Sequence, residues 1–304
     1  MSANPIVTVA TVTQDGLLGA GTPDFQMRFE ETFRRMDEAA ACRPDILCLP
    51  ECSAGRHFEP VPEGPAARRL SAWAKDHNCY VLAGLRNECE GRKFNSAILL
   101  DRQGKYLGKY DKMHLTRPEL EAGICPGRLD PPVFQTDFGV IGVQICFDVN
   151  WPAGWEAMRR QGAKIVFYSA AYPAHVRMAA YTWLYGYYVV SATNSRRSRV
   201  YDITGEVLAE TGMFRQWAAS RLPLGKTLFE IDFHVEKARR IERKYGPRVE
   251  VRWHHDDDWF TLASLDPALG VEEIIREFDL TPKDSYIAAS EGDIQAARRR
   301  LGVT

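Results

Sequence analysis

Val140-Ile141-Gly142-Val143-Gln144-Ile145-Cys146-Phe147-Asp148 is an apolar run of strand length that ends on a thiol. A short continuous apolar run of this kind reads as a buried strand. Asn150-Trp151-Pro152 follows, and proline is favoured at the first position of a helix, so a helix is expected from there to Arg160. Cys146 then sits on a strand–turn–helix connection, the setting in which other hydrolases expose a nucleophile. Strand followed by helix is the repeating unit of an α/β fold.

Working outward, two more apolar runs end on a reactive side chain. Ile46-Leu47-Cys48-Leu49-Pro50-Glu51 delivers a carboxylate, and Lys109-Tyr110-Asp111-Lys112-Met113-His114-Leu115 an ammonium. In open α/β sheets, ligands sit beyond the carboxyl ends of strands, so distant residues at strand ends can converge on one site. The three groups suit acyl transfer. A thiol attacks only as thiolate, which needs a base or a positive field. Glu51 can take the proton, while Lys112 and the backbone N–H of Phe147 can hold the charge that develops on the attacked group.

The rest of the chain supports the same class. Phe25 to Ala41 and Pro65 to Asp76 read as helices, each followed by a strand, at Ile46–Leu49 and Tyr80–Gly84. Asp101-Arg102-Gln103-Gly104 and Asp202-Ile203-Thr204-Gly205 have the composition of hairpin turns. Beyond Cys146 a strand is expected at Lys164–Tyr168, a helix around Met178 to Gly186, and a strand at Tyr188–Ala192. The segment Ser169 to His175 leaves a strand end and is a candidate substrate wall, with Tyr168 and Tyr172 closing an acyl pocket. The aromatic set Tyr181, Trp183, Tyr185, Tyr187 and Tyr188 reads as core and subunit interface. Arg56-His57-Phe58 can overhang the site as a binding loop, which makes His57 a candidate contact, although a lone histidine is more often a surface or packing residue. Arg177, Arg196 and Arg199 are possible clamps for a substrate carboxylate, or simply solvated.

The order Glu51, Lys112, Cys146, in the contexts Leu-Pro-Glu, Tyr-Asp-Lys-Met-His-Leu and Ile-Cys-Phe-Asp, resembles the carbon–nitrogen hydrolase (nitrilase) superfamily over roughly residues 5 to 235. The resemblance implies a four-layer α-β-β-α sandwich, a thioester on Cys146, Glu51 as general base and Lys112 as oxyanion stabiliser. It also implies no metal or organic cofactor, and pairing into a homodimer or higher homo-oligomer. Many members carry a second glutamate between the lysine and the cysteine. Glu119 and Glu121 are both candidates; the spacing Lys-x-x-x-Thr-x-x-Glu selects Glu119, to orient Lys112 or the attacking water. The other reading of Glu119 is a solvated helix-start carboxylate. After Cys-Phe-Asp, where many members continue to Pro-Glu, this chain has Trp151-Pro152-Ala153, which weakens transfer of any one substrate.

Composition bounds the alternatives. At 304 residues, 45 % hydrophobic and 26 % charged, the chain can bury a large core. A net charge of −1 gives no electrostatic case for nucleic acid, and the basic runs Arg196–Arg199 and Arg298–Arg300 are short. The amino terminus enters the strand Ile6–Thr13 without the pattern of a signal peptide, and no apolar run reaches the ~18 residues of a membrane span. Seven cysteines without Cys-x-x-Cys pairing fit a reducing compartment, so a cytoplasmic protein is expected. Gly16-Leu17-Leu18-Gly19-Ala20-Gly21 has the wrong glycine order for a dinucleotide loop. His254-His255-Asp256-Asp257-Asp258 is consecutive rather than spaced, so a solvated loop or an arm to a partner is preferred over a metal site.

These observations define the expectation: residues 1–248 as a catalytic domain and 249–304 as an extension contacting a lid or dimer partner. The activity expected is thiol-dependent hydrolysis of a non-peptide carbon–nitrogen bond in a small amide or N-carbamoyl compound. The alternatives are a nitrilase, a Cys–His hydrolase pairing Cys146 with His114 or His175, and a non-catalytic scaffold.

Overall fold

Two β-α-β-α-β runs build the computed structural model, which describes residues 5–16 and 25–303. All but Gly16 of the Gly16–Gly21 stretch, and residues 1–4, lie outside the described residues. The first run is β1 (Ile6–Val12), α1 (Phe25–Ala40), β2 (Ile46–Cys48), the short β3 (Phe58–Glu59), α2 (Pro65–Asp76) and β4 (Tyr80–Cys89). Next come β5 (Arg92–Leu100), β6 (Tyr106–Asp111), α3 (Arg117–Glu121) and β7 (Phe134–Gln135). The second run is β8 (Val140–Ile145), α4 (Pro152–Arg160), β9 (Ile165–Ala170), α5 (His175–Tyr185) and β10 (Tyr188–Thr193). β11 (Arg199–Tyr201), β12 (Val207–Glu210) and β13 (Trp217–Pro223) complete the sheets.

One sheet has the order β13-β1-β2-β4-β5-β6, the other β12-β11-β10-β9-β8-β7. In each, three successive strands of a β-α-β-α-β run are parallel: β1, β2, β4 and β8, β9, β10. Antiparallel hairpins extend them, as the two expected turns require; Gly104 N–H closes on Asp101 O at 2.9 Å and Gly205 N–H on Asp202 O at 3.0 Å. β4 continues past the expected Gly84 because it pairs with β5 all the way from Val81↔Leu100 to Cys89↔Arg92.

The inner faces of the sheets meet through side chains such as Thr11, whose Oγ1 donates to Ser191 O at 2.7 Å, and Ser169, whose Oγ donates to Leu49 O at 3.0 Å. On one outer face, Phe33 and Met36 of α1 and Leu70 and Trp73 of α2 pack with Val81, Ala83 and Leu100. On the other, the buried Trp155 of α4 stacks on Tyr181 of α5, ring centroids 4.5 Å apart. Each such side chain contributes about 1.5–3 kcal/mol by leaving water. The result is the four-layer α-β-β-α sandwich, and Tyr181, Tyr187 and Tyr188 are core residues as expected.

By contacts the chain divides into Val7–Leu222 and a second unit, Pro223–Thr304 with the residues up to Ile6. The second unit contains β14 (Thr227–Glu230), α6 (Val235–Tyr245), β15 (Val249–His254), β16 (Trp259–Ser264), α7 (Val271–Phe278) and α8 (Lys283–Leu301). It begins well before residue 249, because β14 pairs with β16 and α6 shares one apolar cluster, including Phe229, Ile241, Phe260 and Ile274, with the later elements. His254 ends β15 and Asp256–Asp258 lie in the exposed turn to β16. Among the described residues no group of His, Cys, Asp and Glu could hold a metal ion, and no helix is long and apolar enough to cross a membrane.

Gly84 fixes where β2 and the segment after it can lie. A Cβ there would stand 2.6 Å from both Glu51 Cα and Pro50 O, and 2.8 Å from Ser169 Oγ. Gly84→Ala is expected to destabilise the protein by about 1–3 kcal/mol through overpacking, measured as a lower urea midpoint. An unchanged midpoint would mean that β4 can retreat freely.

Candidate active site

The segment leaving β2 is stitched to β4 by the backbone: Leu49 N–H donates to Leu82 O, and Ser53 N–H to Gly84 O, both at 2.8 Å. Glu51 lies between these two anchors, and its own carbonyl accepts from Asn194 Nδ2 at 2.8 Å. Lys112 directly follows β6; its N–H donates to Asn95 O and its carbonyl accepts from Gly127 N, both at 2.8 Å. Backbone bonds on both sides thus present each side chain from a rigid position.

The two side chains meet. Lys112 Nζ is 2.9 Å from Glu51 Oε1 and 2.8 Å from Glu119 Oε2. Asn95 Nδ2 donates to the same two carboxylates, to Glu51 Oε1 at 2.6 Å and Glu119 Oε1 at 2.8 Å. Glu119 is the third residue of α3 and closes a capping box: its Oε2 accepts from the Thr116 N–H and Oγ1, each at 3.0 Å. It is buried, whereas Glu121 is exposed, so of the two candidates the fold brings only Glu119 to Lys112. Among the described residues, Lys112, Glu51 and Glu119 are 2 %, 7 % and 8 % exposed. Charges this deep persist only when paired and hydrogen-bonded. Burial opposes the Glu119 carboxylate, but Lys112, Thr116 and Asn95 outweigh it and hold its pKa at about 2. Burial likewise opposes the Lys112 ammonium, and the neighbouring Glu51 and Glu119 carboxylates overcome it, raising the pKa above its ordinary value.

Cys146 opens the 3-10 turn Cys146–Asn150 between β8 and α4, with φ +45°. This left-handed conformation is costly for a side chain with a Cβ and needs support from its surroundings. Asp148 gives that support: its carboxylate accepts from Ile145 N–H at 3.0 Å, His114 N–H at 2.8 Å and Tyr110 OH at 2.7 Å. Tyr168 OH donates to Cys146 O at 2.9 Å. Burial first, then the Glu51 charge and a hydrogen bond with it, push the Cys146 thiol up, against the pull of Lys112. The surroundings thus disfavour a standing thiolate at Cys146.

Glu51, Lys112, Glu119 and Cys146 line one cleft of about 430 Å³, with Arg56, Phe58, Arg86 and Asn194 also on its walls. The other expected contacts are placed differently. Tyr168 is buried beneath Cys146, and Phe147 packs edge-on against Trp151 at 5.2 Å. Tyr172 accepts from Arg177 at 3.4 Å. His57 lines a neighbouring cavity, with Phe29, Glu59 and Leu85, which shares Arg86 with the cleft. His114 stacks face to face on Trp151 at 4.0 Å with Nδ1 2.9 Å from Asp148, and His175 Nδ1 lies 3.1 Å from Tyr201 OH. Neither lines the cleft, which removes the geometric basis for a Cys–His pair. Sequence reasoning missed Asn95, Arg86 and Asn194. The last has a buried Oδ1 without a hydrogen-bond partner, an acceptor available to a ligand N–H.

A sequence model of the carbon-nitrogen hydrolase family matches residues 8–218. A deaminated glutathione amidase of Synechocystis sp. is 28 % identical over 174 residues, covering 50 % of this chain and 64 % of that protein. An N-carbamoylputrescine amidase of Solanum lycopersicum is 28 % identical over 183 residues, covering 55 % of this chain and 59 % of that protein. The chain thus spans less than two thirds of the length of these relatives. Among solved structures, a Saccharomyces cerevisiae member of branch 10 of the nitrilase superfamily superposes with a TM-score of 0.63 at 20 % identity, over 72 % of this chain and 90 % of that one.

Two expectations follow from the electrostatics. Because the Glu119 pKa is depressed from 4.5 to about 2, the carboxylate contributes stability above its unfolded pKa that is lost as pH falls through about 2. Glu119→Gln should therefore cost about 2–3 kcal/mol at neutral pH, with the gap to wild type closing in acid; a gap independent of pH would contradict the ion-pair account. Glu51→Gln removes a negative neighbour, so thiolate absorbance of Cys146 should titrate at lower pH than in wild type. A higher titration would mean that Glu51 does not act on the thiol.

Proposed function

We propose that this chain, which belongs to the carbon–nitrogen hydrolase family, hydrolyses a non-peptide amide or N-carbamoyl bond through a thioester on Cys146. The observation that carries the reading is the meeting of Glu51, Lys112 and Cys146 on one cleft, with the ammonium bonded to two carboxylates.

Glu51 takes the Sγ proton as sulfur attacks the carbonyl carbon, so the thiolate forms only during attack. The C–S bond forms, the carbonyl π electrons move to oxygen, and Lys112 Nζ with the Phe147 N–H holds that oxyanion. Collapse breaks the C–N bond; the leaving nitrogen departs with the proton from Glu51, as ammonia or an amine. Water then attacks the thioester, giving a proton to Glu51, and collapse releases the acid and returns the proton to sulfur. Glu119 is a positioning residue: through its 2.8 Å bond it fixes Lys112, and Asn95 sets the spacing of the two carboxylates. Amides and N-carbamoyl compounds are preferred over nitriles, in keeping with the relatives' names. We further propose a cytoplasmic homodimer or larger homo-oligomer, with residues 249–304 contributing to its contacts. Light scattering that shows only monomer at micromolar concentration would overturn the oligomer.

The test of the activity is ammonia and amine release from a panel of amides, N-carbamoyl amino acids and nitriles. Turnover in wild type, abolished in Cys146→Ala and reduced at least ~10³-fold in Glu51→Gln by loss of the base, is expected. Turnover that persists in Cys146→Ala would refute the thioester.

A further inference from the structure

The cleft carries more positive charge than the chemistry uses. Lys112 is matched by Glu51 and Glu119, but Arg56 and Arg86 also line the walls, and these two glutamates are the only acidic residues on them. Arg86 lies opposite Asn95 in the β4–β5 ladder, and directly opposed residues project to the same face of a sheet. Its side chain therefore shares the face from which Asn95 reaches the two glutamates.

Arg86 makes no hydrogen bond to either glutamate. Its Nη1 forms a long ion pair with Glu119 Oε1 at 3.7 Å, beyond hydrogen-bond reach, so the buried Nη1 has no hydrogen-bond partner and its donor capacity is open. Glu119 already accepts from Lys112, Asn95 and Thr116. The guanidinium lies 5.8 Å from the Phe58 ring, and Lys93 Nζ sits 5.1 Å from the same ring. Arg28, half-buried, also feels the Arg56 charge, and its buried Nε has no partner. Nearby acids are engaged elsewhere: Glu59 accepts from the Ala66 and Ala67 N–H groups at the start of α2, and Glu30 pairs with Arg69. Two of the three arginines suggested by sequence are occupied: Arg177 donates to Asn150 and Tyr172, and Arg199 pairs with Glu210. Buried donors are rarely left unpaired, and a guanidinium fork matches a carboxylate in geometry.

We propose that Arg56 and Arg86 bind a carboxylate carried by the substrate away from the bond that breaks, so that the cleft selects anionic amides over neutral and cationic ones. This rests on the hydrolase reading above and narrows it by charge.

The experiment uses three primary amides of matched length: glutaramate (anionic), valeramide (neutral) and 4-aminobutyramide (cationic). In wild type, kcat/KM for glutaramate is expected to exceed that for valeramide by about 10- to 100-fold, the range of a charge-assisted hydrogen bond, with 4-aminobutyramide lowest. Arg86→Gln and, on the exposed loop, Arg56→Gln should each shrink the glutaramate-to-valeramide ratio about tenfold. Calorimetry on Cys146→Ala reads binding without turnover and should show the same preference. Cys146-dependent turnover of all three amides at similar rates overturns the anion site and leaves the hydrolase standing. Selective binding of glutaramate by Cys146→Ala, with neither these amides nor the N-carbamoyl panel hydrolysed by wild type, supports the anion site and overturns the hydrolase.

Discussion

One buried ammonium within hydrogen-bonding distance of two buried carboxylates constrains everything around it. Removing or displacing any member would leave the others short of a partner out of water, and an unpaired buried charge is far more costly than a paired one. The fold answers with redundancy. Lys112 has two carboxylates, each carboxylate has Asn95, and Glu119 has the Thr116 cap as well. Each partner comes from a different piece of chain, so the cluster ties the ends of β2 and β6 to β5 and α3.

The placement of Cys146 depends on a second, separate device. Asp148 is 0 % exposed, yet its contacts run to backbone N–H groups, a tyrosine hydroxyl and His114. It holds the turn in which Cys146 adopts its left-handed backbone. The buried charges and the Cys146 turn are thus held by different residues on different sheets, and the two meet at the cleft.

What the sequence revealed follows from where each group sits. Glu51, Lys112 and Cys146 each end an apolar run, so alternation stops at a chemically distinctive residue, and Glu119 carries the spacing of a helix cap. The parallel strands and their helices were legible for the same reason. Asn95, Arg86 and Asn194 were not. Asn95 and Arg86 come from the interior of a hairpin whose register decides that they face each other, and register is invisible without the pairing. His57 lines the neighbouring cavity although Arg56 and Phe58 on either side of it line the cleft, a division between adjacent side chains that proximity to Glu51 does not reveal. The early start of the second unit was hidden because β14 finds its partner only at β16, about thirty residues later.

The contact at Gly84 leaves no room for even a methyl group between β4 and the backbone of Glu51. Active sites hung on loops can open while the scaffold persists, because local unfolding draws on few contacts. Here the loop cannot lift without parting from the central strand of its sheet. Glu51 is therefore as rigid as the strand it lies against, and moving it means disturbing the middle of the sheet.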